Sequence, residues 1–293
     1  MGSGNTKSNF GKWGWSMIIY CAISFYLAAA MSTDGLNWFP AAFSAYRGWG
    51  ESVINLSNAM AGIGGWIGVV AAVMVAQLGC QRQLGQLRGV QEAVIVLGNV
   101  LCGVFCLIFA NTHSVTAFLI MIVLLTFVSG NIQLNVVPNN IMNIWFPRKK
   151  GLALGWASMG LPLCTATVIL IFNAIGNPQV AYNVLAIIAF IVAFISIFWV
   201  KNTPEEVGVI PDNEPIDMEQ AMLHKQKQEE EAAHMTMGVI MKNKNTWLIG
   251  IGLGILWMTT IGLVSNFVPR LIMVGVSQQF AVSMLTIAAV VGI

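Results

Sequence analysis

Three asparagines recur every four residues in NIQLNVVPNN, at Asn131, Asn135 and Asn139. On a helix that spacing puts the three amides on one face. An amide donates and accepts hydrogen bonds but does not titrate, so the stripe suits solute binding or interhelical bonding rather than acid–base catalysis. Tyr20 and Ser24 form a similar i, i+4 pair nearer the N-terminus. Other chemistry finds little support. Cys102 and Cys106 share a helix face, but no His or carboxylate lies near them in sequence, and packing explains them better than a metal. Of the three histidines, His113 falls in a short loop and His224 and His234 in a polar segment. GIGGWIG at 62–68 and GIGLG at 250–254 lie inside apolar runs, without the strand or the water that a nucleotide loop needs. No catalytic, cofactor or metal constellation is expected, and the chain does not read as an enzyme.

The elements that must position these residues follow from composition. The 293 residues are 57% hydrophobic and 9% charged, with a mean hydropathy of +0.75. Ordinary soluble domains carry about 25% charge. The chain is therefore read as an all-α, polytopic membrane protein whose first partner is the lipid bilayer; no nucleic acid is expected. Apolar runs fall at 13–33, 53–78, 90–110, 115–142, 151–175, 182–200 and 246–268, with a further run from about 278. A bilayer needs about 20 residues of helix, and lipid offers no partner to an unpaired backbone. Seven spans and part of an eighth are predicted, the last cut off at Ile293 as in a fragment. The first span reads as a retained helix rather than a cleaved signal, because further spans follow it. Met1-Gly2 with Thr6 fits an acylation pattern, but one acyl chain adds little to so many spans.

Loop charge orients the spans. With the N-terminus inside, 12 of the 14 cations fall on the cytoplasmic side, leaving Arg47 and Arg270 outside. The positive-inside rule selects that orientation, in a multi-pass protein of the plasma membrane. The organisation expected is a six-span bundle over 1–200, a cytoplasmic linker over 201–245, and the first one to two spans of a second bundle over 246–293. The linker holds nine of the twelve acidic residues and lacks an apolar stripe, so it reads as solvated. Cys21, Cys102, Cys106 and Cys164 lie within spans and Cys80 at a span end, which indicates no disulfide framework. Gly64 with Gly68, and Gly151 with Gly155, are small-residue pairs that would let a neighbouring backbone approach. Gly160 and Pro162 add a kink to the fifth span.

The segment WFPRKKGLALGWASMG at 145–160 places Trp145, Phe146, Arg148 and Lys149 before L-A-x-G-x-A-x-x-G, which includes Gly155 and Gly160. This resembles the span four to five signature of the monocarboxylate porter and oxalate/formate antiporter branch of the major facilitator superfamily. Trp13-Gly14-Trp15 resembles the second signature of that branch, and NTPEEVGVIPDN at 202–213 is similar to its exit from span six. The resemblance implies the major facilitator fold: two pseudo-symmetric six-helix halves, alternating access, and a substrate site between the halves near the midplane. On that reading Asn131, Asn135 and Asn139, with Tyr20 and Ser24, line the substrate pathway.

The chain also departs from the pattern. QLGCQRQLGQLRG at 77–89 supplies Arg82 and Arg88 but no acid, so Glu92 would have to pair with one of these arginines in a cytoplasmic gate. Thr33 stands where proton-linked relatives carry a lysine. Asp34 and Arg270, at the outer ends of spans one and seven, are a candidate outer gate. The function expected is a secondary active transporter of small organic anions, with monocarboxylates as the substrate class that the resemblance implies, working as symporter or antiporter with a coupling proton or counter-anion. The alternatives are a non-transporting membrane sensor or scaffold, or a carrier of an unrelated small solute.

Overall fold

The computed structural model describes residues 10–50, 52–65, 67, 90–214, 244, 248, 267–268, 270–271 and 274–291. These are helical with short connections. The helices are α1 (Gly11–Met31), α2 (Phe39–Arg47) and α3 (52–65), then α4 (Val90–Asn111), α5 (Val115–Phe127) and α6 (Val137–Trp145). They continue with α7 (Lys150–Ser158), α8 (Gly160–Ile175), α9 (Pro178–Trp199) and α10 (Gln278–Val291). Among the described residues, five stretches are long and apolar enough to cross a membrane: Gly11–Asn37, Glu92–Asn111, Val115–Trp145, Lys150–Ile175 and Pro178–Trp199. Each coincides with a span expected from the sequence. The expected span at 53–78 is seen as α3, its remainder lying outside the described residues, as does most of 246–268.

The connection between the first two expected spans contains α2. Pro40 fits the first turn of that helix, and Gly48 ends it in the left-handed region at φ +70°. Phe39 and Phe43 bury one side of α2 in an aromatic cluster with Phe109, Phe118 and Tyr182. Phe109 stacks on Phe118 at a centroid distance of 4.5 Å, while Phe39 meets Phe109 edge-on at 5.0 Å. At the C-terminus of α2, Arg47 donates to the Ala110 carbonyl and lies over the Phe43 and Trp49 rings. Ala110 is one of the last residues of α4, where carbonyls lack helical donors, so a cation is well placed there.

Two irregularities shape the bundle. Between α5 and α6 the chain is π-helical over Val128–Val136, and the Val137 N–H bonds to the Ile132 carbonyl, five residues back. Pro138 has no N–H to continue the pattern to the Gln133 carbonyl. Ser24 of α1 meets that carbonyl instead, donating at 3.2 Å. The second irregularity is the break between α7 and α8. Pro162 would press its ring on the carbonyl of Ser158, and the helix stops at Ser158 and restarts at Gly160. A Cβ on Gly160 would collide with the Ala22 carbonyl, so α1 and α8 touch backbone to backbone there. Gly64 of α3 lies equally close to Val123 and Thr126 of α5. α9 packs along α4, where Gly103 leaves room for the Phe190 ring. On its other face Ile187, Ile191, Phe194 and Phe198 are exposed at helical spacing, as suits a surface solvated by lipid.

Candidate functional site

Beside the α7–α8 break an open cleft of about 330 Å³ is lined by Phe25 of α1, Leu134 and Asn135 of the π-helical segment, and Asn139 of α6. Gly151, Leu154, Gly155 and Ser158 of α7 form the facing wall, with Leu161 of α8 at its end. Asn135 donates to the Gly130 carbonyl at 2.9 Å, and Asn139 to the Asn135 carbonyl at 2.7 Å. The first of these bonds spans five residues, matching the π register. Each amide keeps a second N–H and its carbonyl oxygen for a solute. The side chain of Asn131 lies outside the described residues.

Among the described residues a Cβ on Gly151 or Gly155 would meet nothing within 4 Å, and their bare surface lines the cleft. The close approach expected of this segment is made by Gly160. Tyr20 and Ser24 are likewise not brought to the cleft. Both are buried between helices, Tyr20 bonded to Ser196 at 2.8 Å and Ser24 to the Gln133 carbonyl. Their i, i+4 spacing marks the packed face of α1.

Sequence reading missed the polar cluster that these residues belong to. Gln133 donates to Asn99 at 2.6 Å, and Asn99 donates to the Ile95 carbonyl at 2.9 Å. With Tyr20 and Ser196, these buried groups tie α1, α4, the π-helical segment and α9 together. Gln133 was visible as an amide inside NIQLNVVPNN, but its spacing falls off the stripe of asparagines.

The signature residues gather at one end of the bundle. Trp145 is buried and donates to the Lys201 carbonyl at 3.1 Å; Phe146 packs on Phe10 at 5.0 Å. Trp15 meets Phe10 and Trp156 edge-on, while Trp13 is exposed. The segment after α9 crosses this end as a strap. Asp212, buried and with φ +59°, directs its carboxylate at the backbone N–H groups of Arg148 and Lys149, 3.0 Å from each. Lys149 also pairs with Glu214 at 2.6 Å, whereas the Arg148 side chain is exposed. Asn213, next along the strap, packs at Gly11.

Of the gating candidates, Asp34, Arg270 and Glu92 fall within the described residues. Asp34 is buried and accepts a hydrogen bond from Thr165 at 2.9 Å, while Arg270 is exposed; the two are not paired in this structure. Arg82 and Arg88 lie outside the described residues, and Glu92 sits half-buried in the first turn of α4, where a negative charge suits the helix dipole. Cys102 and Cys106 are buried in the apolar core. Among the described residues no group of His, Cys, Asp and Glu is arranged to hold a metal ion.

A family model described as the Major Facilitator Superfamily matches residues 83–293. No curated protein matches the chain.

Proposed function

The chain belongs to the major facilitator superfamily, and from that premise we infer that this membrane transporter is a secondary active carrier of small organic anions, with monocarboxylates as the substrate class. The observation that carries the reading is the cleft walled by Asn135 and Asn139 on one side and by Gly151 and Gly155 on the other. Its volume of about 330 Å³ is at the small end for ligand sites, which suits a solute of a few carbon atoms. Paired amides offer hydrogen bonds without fixing a charge, and the bare glycines let a solute approach the α7 backbone. The resemblance of residues 145–160 to the monocarboxylate and oxalate/formate branch supports the anionic substrate.

In this reading the carrier works by alternating access, with α7 and α8 moving about their break at Met159 and the strap over 201–214 holding the Arg148 end of the bundle. The charge split between loops supports an N-terminus in the cytoplasm of a cell whose plasma membrane holds the protein. A proton or a counter-anion supplies the driving force. Exchange in proteoliposomes tests the proposal: vesicles preloaded with lactate, formate or oxalate should accumulate the labelled anion by counterflow. Counterflow of none of the three would refute the organic-anion reading.

A further inference from the structure

Asp34 follows α1 at the end of the bundle opposite the Arg148 loop. Its side chain is buried, Thr165 of α8 donates to Oδ2 at 2.9 Å, and the Cys164 thiol is within hydrogen-bonding reach. Among the described residues no cation reaches it. The ion pair found there joins Lys149 to Glu214, Arg47 is committed to the Ala110 carbonyl and two aromatic rings, and Arg270 is exposed. The titratable groups that face Asp34 are Cys164 from α8 and Tyr26 from α1, the latter bonded to Thr167 at 2.8 Å. Tyr182 of α9 brings its buried hydroxyl, unpartnered among the described residues, against the adjoining Gly35. None of these groups is a cation. An ionised carboxylate within a membrane span is costly when no cation pairs with it, and a bound proton removes that cost.

We propose that Asp34 is the binding site of a coupling proton, a role that deepens the carrier reading above and rests on it. Thr165 fits both states of the carboxyl group. Its hydroxyl has one proton and two acceptors in reach, Asp34 Oδ2 at 2.9 Å and the Leu161 carbonyl at 3.3 Å. With Asp34 ionised, the hydroxyl donates to the carboxylate. When a proton binds, the new carboxyl O–H donates to Thr165 Oγ1, and the hydroxyl proton turns to the Leu161 carbonyl. One O–H bond forms on Asp34 and no other covalent bond changes. Leu161 lines the cleft and lies just beyond the α7–α8 break, so the exchange of donors alters the turn that walls the solute path.

Infrared difference spectroscopy of the purified full-length protein between alkaline and acidic pH reads the site directly. The carboxyl C=O absorption that grows on acidification comes from all twelve Asp and Glu side chains, and Asp34→Asn should remove one component of it. Thr165→Val, which keeps the side-chain shape without the hydroxyl, should move the pH midpoint of that component. In proteoliposomes with labelled lactate, Asp34→Asn should reduce uptake driven by an inward proton gradient to the rate without a gradient. Exchange of lactate for lactate, which moves no net proton, should survive. A carboxyl absorption unchanged in Asp34→Asn, or gradient-driven uptake that survives in that variant, overturns the proposal. Absence of lactate exchange in the unaltered protein would count against the carrier reading alone, because the infrared band still decides whether Asp34 binds the proton.

Discussion

The carboxylate of Asp212 accepts the backbone N–H of Lys149 at 3.0 Å, and its second oxygen accepts that of Arg148 at the same distance. A strap residue thereby caps the start of α7, where helix N–H groups lack partners. Asp212→Ala removes the cap and leaves two N–H groups unmet, a loss of about 1–3 kcal/mol. The thermal midpoint in detergent should fall, and Glu214→Gln, which removes only the charge of the exposed partner of Lys149, should lower it less. Equal midpoints for Asp212→Ala and the unaltered protein would refute the cap.

The glycines of α7 and α8 divide by surroundings. Gly160→Val would drive a side chain into the Ala22 carbonyl, and forced overpacking costs about 1–3 kcal/mol. Membrane abundance of that variant should drop. Gly155→Val has open space around its new side chain and should retain abundance while narrowing the cleft and slowing transport. Quantitative blotting beside an uptake assay separates the two outcomes.

Ser24→Ala leaves the Gln133 carbonyl without its donor where Pro138 cannot supply one. An unmet buried acceptor costs about 1–3 kcal/mol. Thermal unfolding followed by tryptophan fluorescence should show the loss, and Ser24→Thr, which keeps the hydroxyl, should recover most of it.

Orientation is open to a direct test. A cysteine at position 148 and another at position 46, each in a background without other cysteines, should react with an impermeant maleimide from opposite sides of the membrane. Labelling of both from one side contradicts the topology.

Much of the helical layout was legible because lipid demands long apolar runs, and five such runs recur as spans at nearly the predicted limits. The α2 helix was not, since nine residues between two spans carry too short a pattern to distinguish from loop. Asn135 and Asn139 could be found from their period alone. Tyr20 and Ser24 show the same spacing yet face the interior, because a period identifies a shared face without saying what covers it. Gly155 and Gly160 differ for the same reason: only the position of α1 decides which of them touches a backbone. The partner of Asp34 was beyond sequence reading, as Thr165 is 131 residues away and uncharged.

The central claim is that the cleft beside Asn135 is the solute path. A single cysteine at position 135, in a transport-competent background without other cysteines, allows its labelling rate to be followed with and without excess lactate. The account predicts that lactate slows labelling at position 135 and leaves that at position 194, on the lipid-facing side of α9, unchanged. Lactate that is transported yet leaves the rate at position 135 unaltered would contradict it.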